Sequence, residues 1–338
     1  MQYKRFNRII TLLKRENLHR ILLFLIFLLL VSTFALVIFE PGISFLNAFW
    51  LSIVTLTTVG YGDITPTTLA GRLVGMLIML FGIGILGMFT ASIASIFVEK
   101  RMKEERGMKS FDFSDHIIIC NWNHNTKDII SELRSDTRIG NKPIVLIAGI
   151  DLKPIDDEYL FFVKGEANEE NLLRASIKKA STIIVLGDEN VNTDNRDAKV
   201  ILATLTIEDL NPAIYSIVEL EDESNARHCR RANADEIVVR SEFSSRLISR
   251  ATLDHGITKV ISTFLSSREG DDILKISLPA EYVGKEFLMV FTEMKKKEDG
   301  IVLAVQRDAD KQVITNPSTA MVLEKNDILI MVSKRQEG

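Results

Sequence analysis

The sequence predicts an all-α membrane domain of two spanning helices with a re-entrant helix between them, followed by an α/β lobe and a small α+β lobe. Three observations lead there. Two uncharged apolar runs, Ile21–Phe39 and Leu73–Val98, are each long enough to cross a hydrocarbon core of ~30 Å. Between them lies a third apolar stretch that is too short to cross. From about residue 115 onward, short apolar runs alternate with helical patterns.

The chain of 338 residues has room for two or three domains. Its overall balance, 46% hydrophobic and 25% charged, is that of a globular protein, but the apolar residues crowd the first hundred positions. A net charge of -4 with no basic excess argues against a nucleic-acid partner. Two cysteines, Cys120 and Cys229, make neither a disulfide framework nor a zinc spacing and read as buried hydrophobes.

Residues 1–19 form a basic N-terminal segment and 20–98 the membrane domain, with spans at 21–39 and 73–98. The first run does not read as a signal peptide, because no small-residue cleavage site follows it and a second span does. Lys4, Arg5, Arg8, Lys14, Arg15 and Arg20 precede the first span, and Lys100, Arg101, Lys103 and Arg106 follow the second. By the positive-inside rule both termini lie in the cytoplasm, as expected of an inner (plasma) membrane protein surrounded by lipid.

A re-entrant helix is expected at 44–57, followed by extended backbone at 58–63. Irregular backbone at membrane depth is tolerated only in a protein interior or along a wet path. Thr58, Val59, Gly60, Tyr61, Gly62 and Asp63 fit a cation filter. A permeating cation must exchange its water shell for oxygen ligands, and peptide carbonyls provide these without full charges. Gly60 and Gly62 allow the unusual dihedrals this requires, while Tyr61 is free to brace the strand against Trp50 or its neighbours. One chain supplies a quarter of each ring, so a homotetramer is expected. The Thr58 hydroxyl and the carbonyls of Thr58, Val59, Gly60 and Tyr61 would hold K+.

The second span contains Gly82, Gly84 and Gly87, which serve either close packing or a gating bend. Phe97 is a candidate constriction near the inner end. Residues 99–114, polar and containing Gly107, read as a linker. In 115–241 strands are expected at His116–Cys120, Pro143–Ala148, Leu160–Val163, Thr182–Leu186, Ala213–Val218 and Glu236–Val239. Helices are expected at Thr126–Arg134, Glu169–Ile177, Asp194–Leu210 and Glu223–Ala232. This is a Rossmann-like lobe, whose ligands sit at the carboxyl ends of the strands. Residues 242–268 read as helix, with an apolar stripe from Leu247 to Leu265 that is either core or a pairing surface. Residues 271–338 form the small α+β lobe, with strands at Ile273–Leu278, Ile301–Val305 and Ile328–Val332 and a helix near Lys285–Met294.

TTVGYGD between two spans resembles the filter of potassium channels, matching at every position. Residues 115–338 resemble the RCK (regulator of potassium conductance) domain in HIIICNW, GEANEENLLRASIKKASTIIVL, ISLPAEYVGKEF and NDILIMVS. The whole is similar to two-transmembrane prokaryotic channels with a cytoplasmic RCK domain, of the MthK and GsuK type. The resemblance implies RCK dimers formed through 242–268, a gating ring, and control by a nucleotide (NAD or an adenine nucleotide), by Ca2+, or by both. It also favours a bend at Gly82 or Gly84. Family rings hold eight RCK domains, and Met102 or Met108 would start separately translated soluble copies. No Arg-rich voltage-sensing helix precedes the pore, so the stimulus is expected to be chemical.

The nucleotide-site candidates depart from the dinucleotide fingerprint. After the first strand stand Asn121, Trp122, Asn123, His124 and Asn125 in place of glycines. Asp151 is the only acid near the end of the second strand, and Gly165, Glu166 and Ala167 follow the third, where the family lines its adenine side. A working nucleotide site and a vestigial pocket both remain open. Glu219 and Glu221 match the family's paired calcium carboxylates, but the third falls on Leu186, with Asp188 two residues late. Calcium takes six to eight oxygens, so an acidic rim is the alternative. An enzyme is not expected, since no catalytic constellation follows the sheet. Two competing readings are a membrane-anchored nucleotide-sensing subunit of a potassium transporter and a tethered redox enzyme.

Overall fold

The computed structural model describes residues 18–189, 191–266, 271–307 and 312–334. It divides between Lys103 and Glu104 into two compact units.

Among the described residues the first unit holds three helices: α1 (Leu18–Phe39), α2 (Phe45–Leu56) and α3 (Leu69–Glu105). The 22 residues of α1 rise about 33 Å, enough to span a bilayer core. Leu36, Ala48, Leu51, Leu56 and Ile78 form the core that the three share. Much of the remaining apolar surface, including Leu23, Phe27, Ile38 and Leu80, is exposed in the single chain. The Glu40 carboxylate binds the segment that leads into α3, accepting from the Thr68 amide at 3.1 Å and the Thr68 hydroxyl at 2.8 Å. A Cβ on Gly71 would lie 2.3 Å from Glu40 Oε2, so a side chain there would push this carboxylate off its Thr68 bonds.

The inner helix is longer at both ends than its apolar run. It starts early because the Thr68 hydroxyl caps it, accepting from the Gly71 amide at 3.0 Å. It continues to Glu105 because Glu, Lys, Arg and Met are good helix formers once the lipid-compatible stretch ends. The expected linker 99–114 is thus partly helical, and its remainder is docked within the second unit. The Gly107 carbonyl accepts from the Lys164 amide at 3.1 Å and from Arg174 Nη2 at 2.6 Å. Phe111 and Phe113 stack on each other and pack tilted against Phe161.

In the second unit, β1 (Ile117–Cys120), β2 (Ile144–Ala148), β3 (Leu160–Lys164), β4 (Thr182–Val185), β5 (Tyr215–Leu220) and β6 (Glu236–Val239) form one parallel sheet. The strand order is β3-β2-β1-β4-β5-β6, the dinucleotide-fold order, with its switch point between β1 and β4. Strands β1 and β2 are wholly buried, as continuous apolar runs in a two-sided sheet must be. The helices are α4 (Thr126–Ser135), α5 (Glu169–Arg174), α6 (Thr193–Leu210) and α7 (Ala226–Arg231). Cys120 and Cys229 are buried free thiols, and burial pushes their pKa up to about 12 and about 11.

The stretch expected as one helix over 242–268 is two, α8 (Arg240–Leu253) and α9 (Ile257–Leu265), broken where Gly256 adopts φ 92°. Residues 267 and 268 lie outside the described residues. Neither helix buries a residue, and Phe243, Ile248, Leu253, Val260 and Leu265 are exposed. The small lobe has β7 (Asp271–Ser277), helix α10 (Phe287–Glu298), β8 (Ile301–Gln306), β9 (Val313–Thr315) and β10 (Ile328–Lys334), with an antiparallel sheet in the order β7-β10-β8-β9. The short β9 was not anticipated, since three residues carry too little alternation to register.

Candidate functional site

In the membrane unit, the Ser44 hydroxyl caps α2, accepting from the Asn47 amide at 3.2 Å. At the other end of α2, the Val54 carbonyl accepts from the Val59 amide at 3.0 Å and the Gly60 amide at 3.2 Å. The strand that follows is therefore tied by its amides to the re-entrant helix. Its φ values are positive at Thr58 (61°), Gly60 (56°) and Gly62 (73°), and not at Val59 or Tyr61. In an ordinary strand successive carbonyls point to opposite sides. Alternating the sign of φ turns every second peptide over, so consecutive carbonyls face one side.

Among the described residues, no group donates to the carbonyls of Thr58, Val59, Gly60 or Tyr61. Thr58 was expected to supply oxygens but not to adopt a left-handed backbone. A β-branched residue in that region is an outlier costing about 1–2 kcal/mol. No sequence signal marks this, because the residue type argues against the conformation. The Trp50 ring stacks on Tyr61 at 6.0 Å between centroids, and Trp50 Nε1 donates to Asp63 Oδ2 at 2.9 Å.

The three glycines of α3 differ. A Cβ on Gly82 would meet Leu56 Cδ1 at 3.1 Å and Leu56 backbone at 3.3 Å, so Gly82 serves close approach of α2. A Cβ on Gly84 or Gly87 would have no neighbour within 4 Å. Phe97 is exposed.

In the second unit, a cavity of about 220 Å³ lies at the carboxyl edge of the sheet. Asn121, Glu166, Ala167, Asn168, Asp188 and Lys199 line it, with Leu202, Ala203 and Thr206 of α6. Asn121 sits at φ 76° and donates through Nδ2 to the Leu186 carbonyl at 2.7 Å, joining β1 to β4 across the switch point. Glu166 pairs with Lys199 at 2.8 Å. Gly165, at φ 135°, backs onto Asn171, and a Cβ there would lie 2.3 Å from its Nδ2.

Other candidates lie elsewhere. Trp122 packs with the core beneath α4. Asp151 is exposed and paired with Lys164 at 2.8 Å, so it does not line the cavity as a ribose partner would. Asn123 is buried and organises the loop. Its Oδ1 accepts from the Asn125 amide at 3.0 Å, the Thr126 amide at 3.1 Å and the Thr126 hydroxyl at 3.0 Å. Its Nδ2 donates to the Gly187 carbonyl at 3.1 Å and Glu219 Oε2 at 3.4 Å. His124 is held by Glu189, whose carboxylate also accepts from the His124 amide at 3.3 Å. Burial pushes the Glu189 carboxyl up, but the His124 bonds outweigh this and hold it below its ordinary value.

The calcium candidates are already engaged. Glu219 is buried and accepts from the Gly187 amide at 3.1 Å, while Arg240 Nε lies 3.5 Å from its other oxygen. Glu221 Oε2 lies 3.5 Å from Arg240 Nη1 and 3.7 Å from Arg196 Nη1. Asp188 lines the cavity instead. Among the described residues, no group of three or more His, Cys, Asp or Glu side chains could hold a metal. Glu219, Glu221 and Asp188 therefore do not fit calcium as arranged, because two guanidinium groups supply the positive charge. Arg196, Arg240, Lys199 and Glu189 were not anticipated. Arg196 and Lys199 share a face of α6 by their three-residue spacing, a signal that was present in the sequence.

The family described as an ion channel matches residues 23–99. The calcium-activated potassium channel slowpoke-like RCK domain matches residues 112–218. The chain is similar to the calcium-gated potassium channel TvoK of Thermoplasma volcanium, 38% identical over 69% of this chain and 67% of that one. It is also similar to potassium channel protein 1 of Methanocaldococcus jannaschii, 27% identical over 95% of each chain. The human SLO3 gating ring matches in fold, with a TM-score of 0.52 at 18% identity over 65% of this chain and 44% of that one.

Proposed function

Because the chain belongs to the prokaryotic potassium channels that carry a cytoplasmic RCK domain, we propose that four copies surround one potassium-selective path and that a nucleotide in the cytoplasmic cavity sets its gate. The observation that carries the first half is the alternation of φ over Thr58–Gly62, with no described donor to the carbonyls between. Four such strands around an axis replace the water shell of a dehydrated ion. Trp50, Tyr61 and Asp63 hold the strand outward against collapse.

The basic flanks of the two spans support a topology with both termini in the cytoplasm. The exposed apolar faces of α8 and α9 pair two RCK domains, and such pairs build a ring. Met102 or Met108 would start the soluble copies that complete it. Gly84 and Gly87, free of close neighbours within the chain, are where α3 bends when the ring changes shape. A ligand moves that equilibrium only through its differential affinity for the two ring shapes.

For the ligand, the cavity offers the hydrogen-bonding side chains of Asn121, Glu166, Asn168 and Lys199 beside an apolar wall from α6. The Thermoplasma relative is named for calcium gating. In this chain Glu219 and Glu221 already face Arg196 and Arg240, so no calcium step is assigned to them.

Planar-bilayer recording tests the reading. With unequal potassium on the two sides and sodium making up the difference, the reversal potential is expected to lie close to the potassium equilibrium value. Currents that do not discriminate the two ions, or none from purified tetramers, would overturn it. Titrating NAD, ADP and calcium against open probability then identifies the ligand, with nucleotides expected to act and calcium at Glu219 and Glu221 not.

A further inference from the structure

We propose that Glu189 fills the phosphate seat of the cytoplasmic domain with the chain's own carboxylate, so that the cavity selects a nucleoside-like ligand and disfavours a dinucleotide. This rests on the reading of the cavity as the ligand site. In sheets of this topology the diphosphate of a ligand lies on bare amides between the first strand and the following helix. Here four consecutive amides of that loop are already bonded. Asn123 donates to the Thr126 hydroxyl at 2.8 Å, and His124 to Glu189 Oε2 at 3.3 Å. Asn125 and Thr126 donate to Asn123 Oδ1 at 3.0 and 3.1 Å.

The second observation is the charge. Glu189 holds both the amide and the ring Nδ1 of His124. Arg240 Nη2 approaches the far ring nitrogen of His124 at 3.4 Å, so the imidazole lies between the Glu189 carboxylate and a cation. The carboxylate thus occupies the loop amide that a ligand phosphate would take, with positive charge one ring away. Asp128 adds further negative charge in the first turn of α4. An incoming phosphate would have to displace Glu189 and break the loop's bonds. The cavity beyond, about 220 Å³ and lined by Asn121, Glu166 and Lys199, is left for a base and sugar.

Calorimetric titration of the purified full-length channel in detergent provides the test, with adenosine, NAD and inorganic pyrophosphate as separate probes. The unaltered protein is expected to bind adenosine, to bind NAD no more tightly than adenosine, and to show no heat with pyrophosphate. In Glu189→Ala, pyrophosphate binding appears and NAD affinity rises at least tenfold, while adenosine affinity is unchanged. Glu189→Gln, which keeps an acceptor and removes the charge, shows the same change in smaller measure. The side chain lies in a loop and is about one-third exposed, so both variants are expected to fold. NAD binding to the unaltered protein tenfold tighter than adenosine would overturn the proposal. So would an alanine variant that gains nothing. If neither adenosine nor NAD binds either protein, the reading of the cavity fails, and the pyrophosphate arm still decides whether Glu189 occupies an anion seat.

Discussion

The strand Thr58–Asp63 and the loop Asn121–Asn125 use the same backbone device to opposite ends. Both place residues at positive φ, Thr58, Gly60 and Gly62 in one and Asn121 in the other. In the membrane strand the amides of Val59 and Gly60 are bonded to α2, while among the described residues no group donates to the carbonyls. In the cytoplasmic loop four amides are bonded to the chain's own side chains. A backbone site is made by leaving one class of peptide group unpaired, and it is closed by pairing it. The first loop is open to a cation, whereas the second is closed to an anion.

The sharpest way to break this comparison is Gly60→Ala. A Cβ there has no neighbour within 4 Å, so crowding is not the obstacle; the φ of 56° is. The strain is about 1–2 kcal/mol per subunit and is incurred four times in a ring. We expect loss of potassium selectivity, read as a shift of reversal potential toward zero in mixed potassium and sodium. Full selectivity in this variant would show that the alternation of φ is not what turns the carbonyls.

A smaller effect is expected from Asp63→Asn. The Trp50 Nε1 bond of 2.9 Å becomes neutral, and a charge-assisted bond is roughly twice as strong as a neutral one. About 1 kcal/mol of bracing would be lost. Selectivity should persist, while openings shorten and macroscopic current decays faster under sustained opening. Unchanged decay would mean that Tyr61 stacking alone holds the strand.

Much of this was legible in the sequence, for different reasons in the two regions. The spans and the parallel sheet follow from apolar run length and alternation, which report burial directly. Thr58–Asp63 could be singled out as a candidate because its residues are consecutive, although the left-handed backbone of Thr58 carried no signal. The cytoplasmic site was not, because its charges come from separate elements. Asp151 stood near the expected position but turned to Lys164, while Arg196 and Arg240 reached Glu221 from two helices. A helix break at Gly256 is also a local matter, yet the apolar stripe that runs across it concealed it.

On the closed side of the comparison, Asn123→Ala would reopen the loop. It removes the acceptor for three donors and a donor to Gly187 and Glu219, all in a buried setting. Unsatisfied buried groups cost about 1–3 kcal/mol. The cytoplasmic unit should unfold at lower temperature, and amides 123–126 and Gly187 should exchange hydrogen faster than those of β2. Uniform exchange across the sheet would show that Asn123 contributes general stability rather than organising the loop.

The smallest expected effect concerns His116, which precedes β1. Its ring is fully buried, bonded through Nε2 to the Ala175 carbonyl at 2.8 Å, and among the described residues Nδ1 has no partner. Burial holds its pKa below the ordinary histidine value. The folded chain therefore binds fewer protons here than the unfolded chain, whose histidine titrates near 6.5. Stability from this group is complete above about pH 6.5 and declines as pH falls toward the lower folded value. One proton limits the slope to about 1.4 kcal/mol per pH unit. The unfolding midpoint of the cytoplasmic unit in the full channel should be flat from pH 8 to 7 and fall between about 6.5 and 5.5, above the carboxylate range. His116→Gln should flatten that fall while leaving potassium selectivity untouched, because the filter takes its charge stabilisation from peptide oxygens that do not titrate.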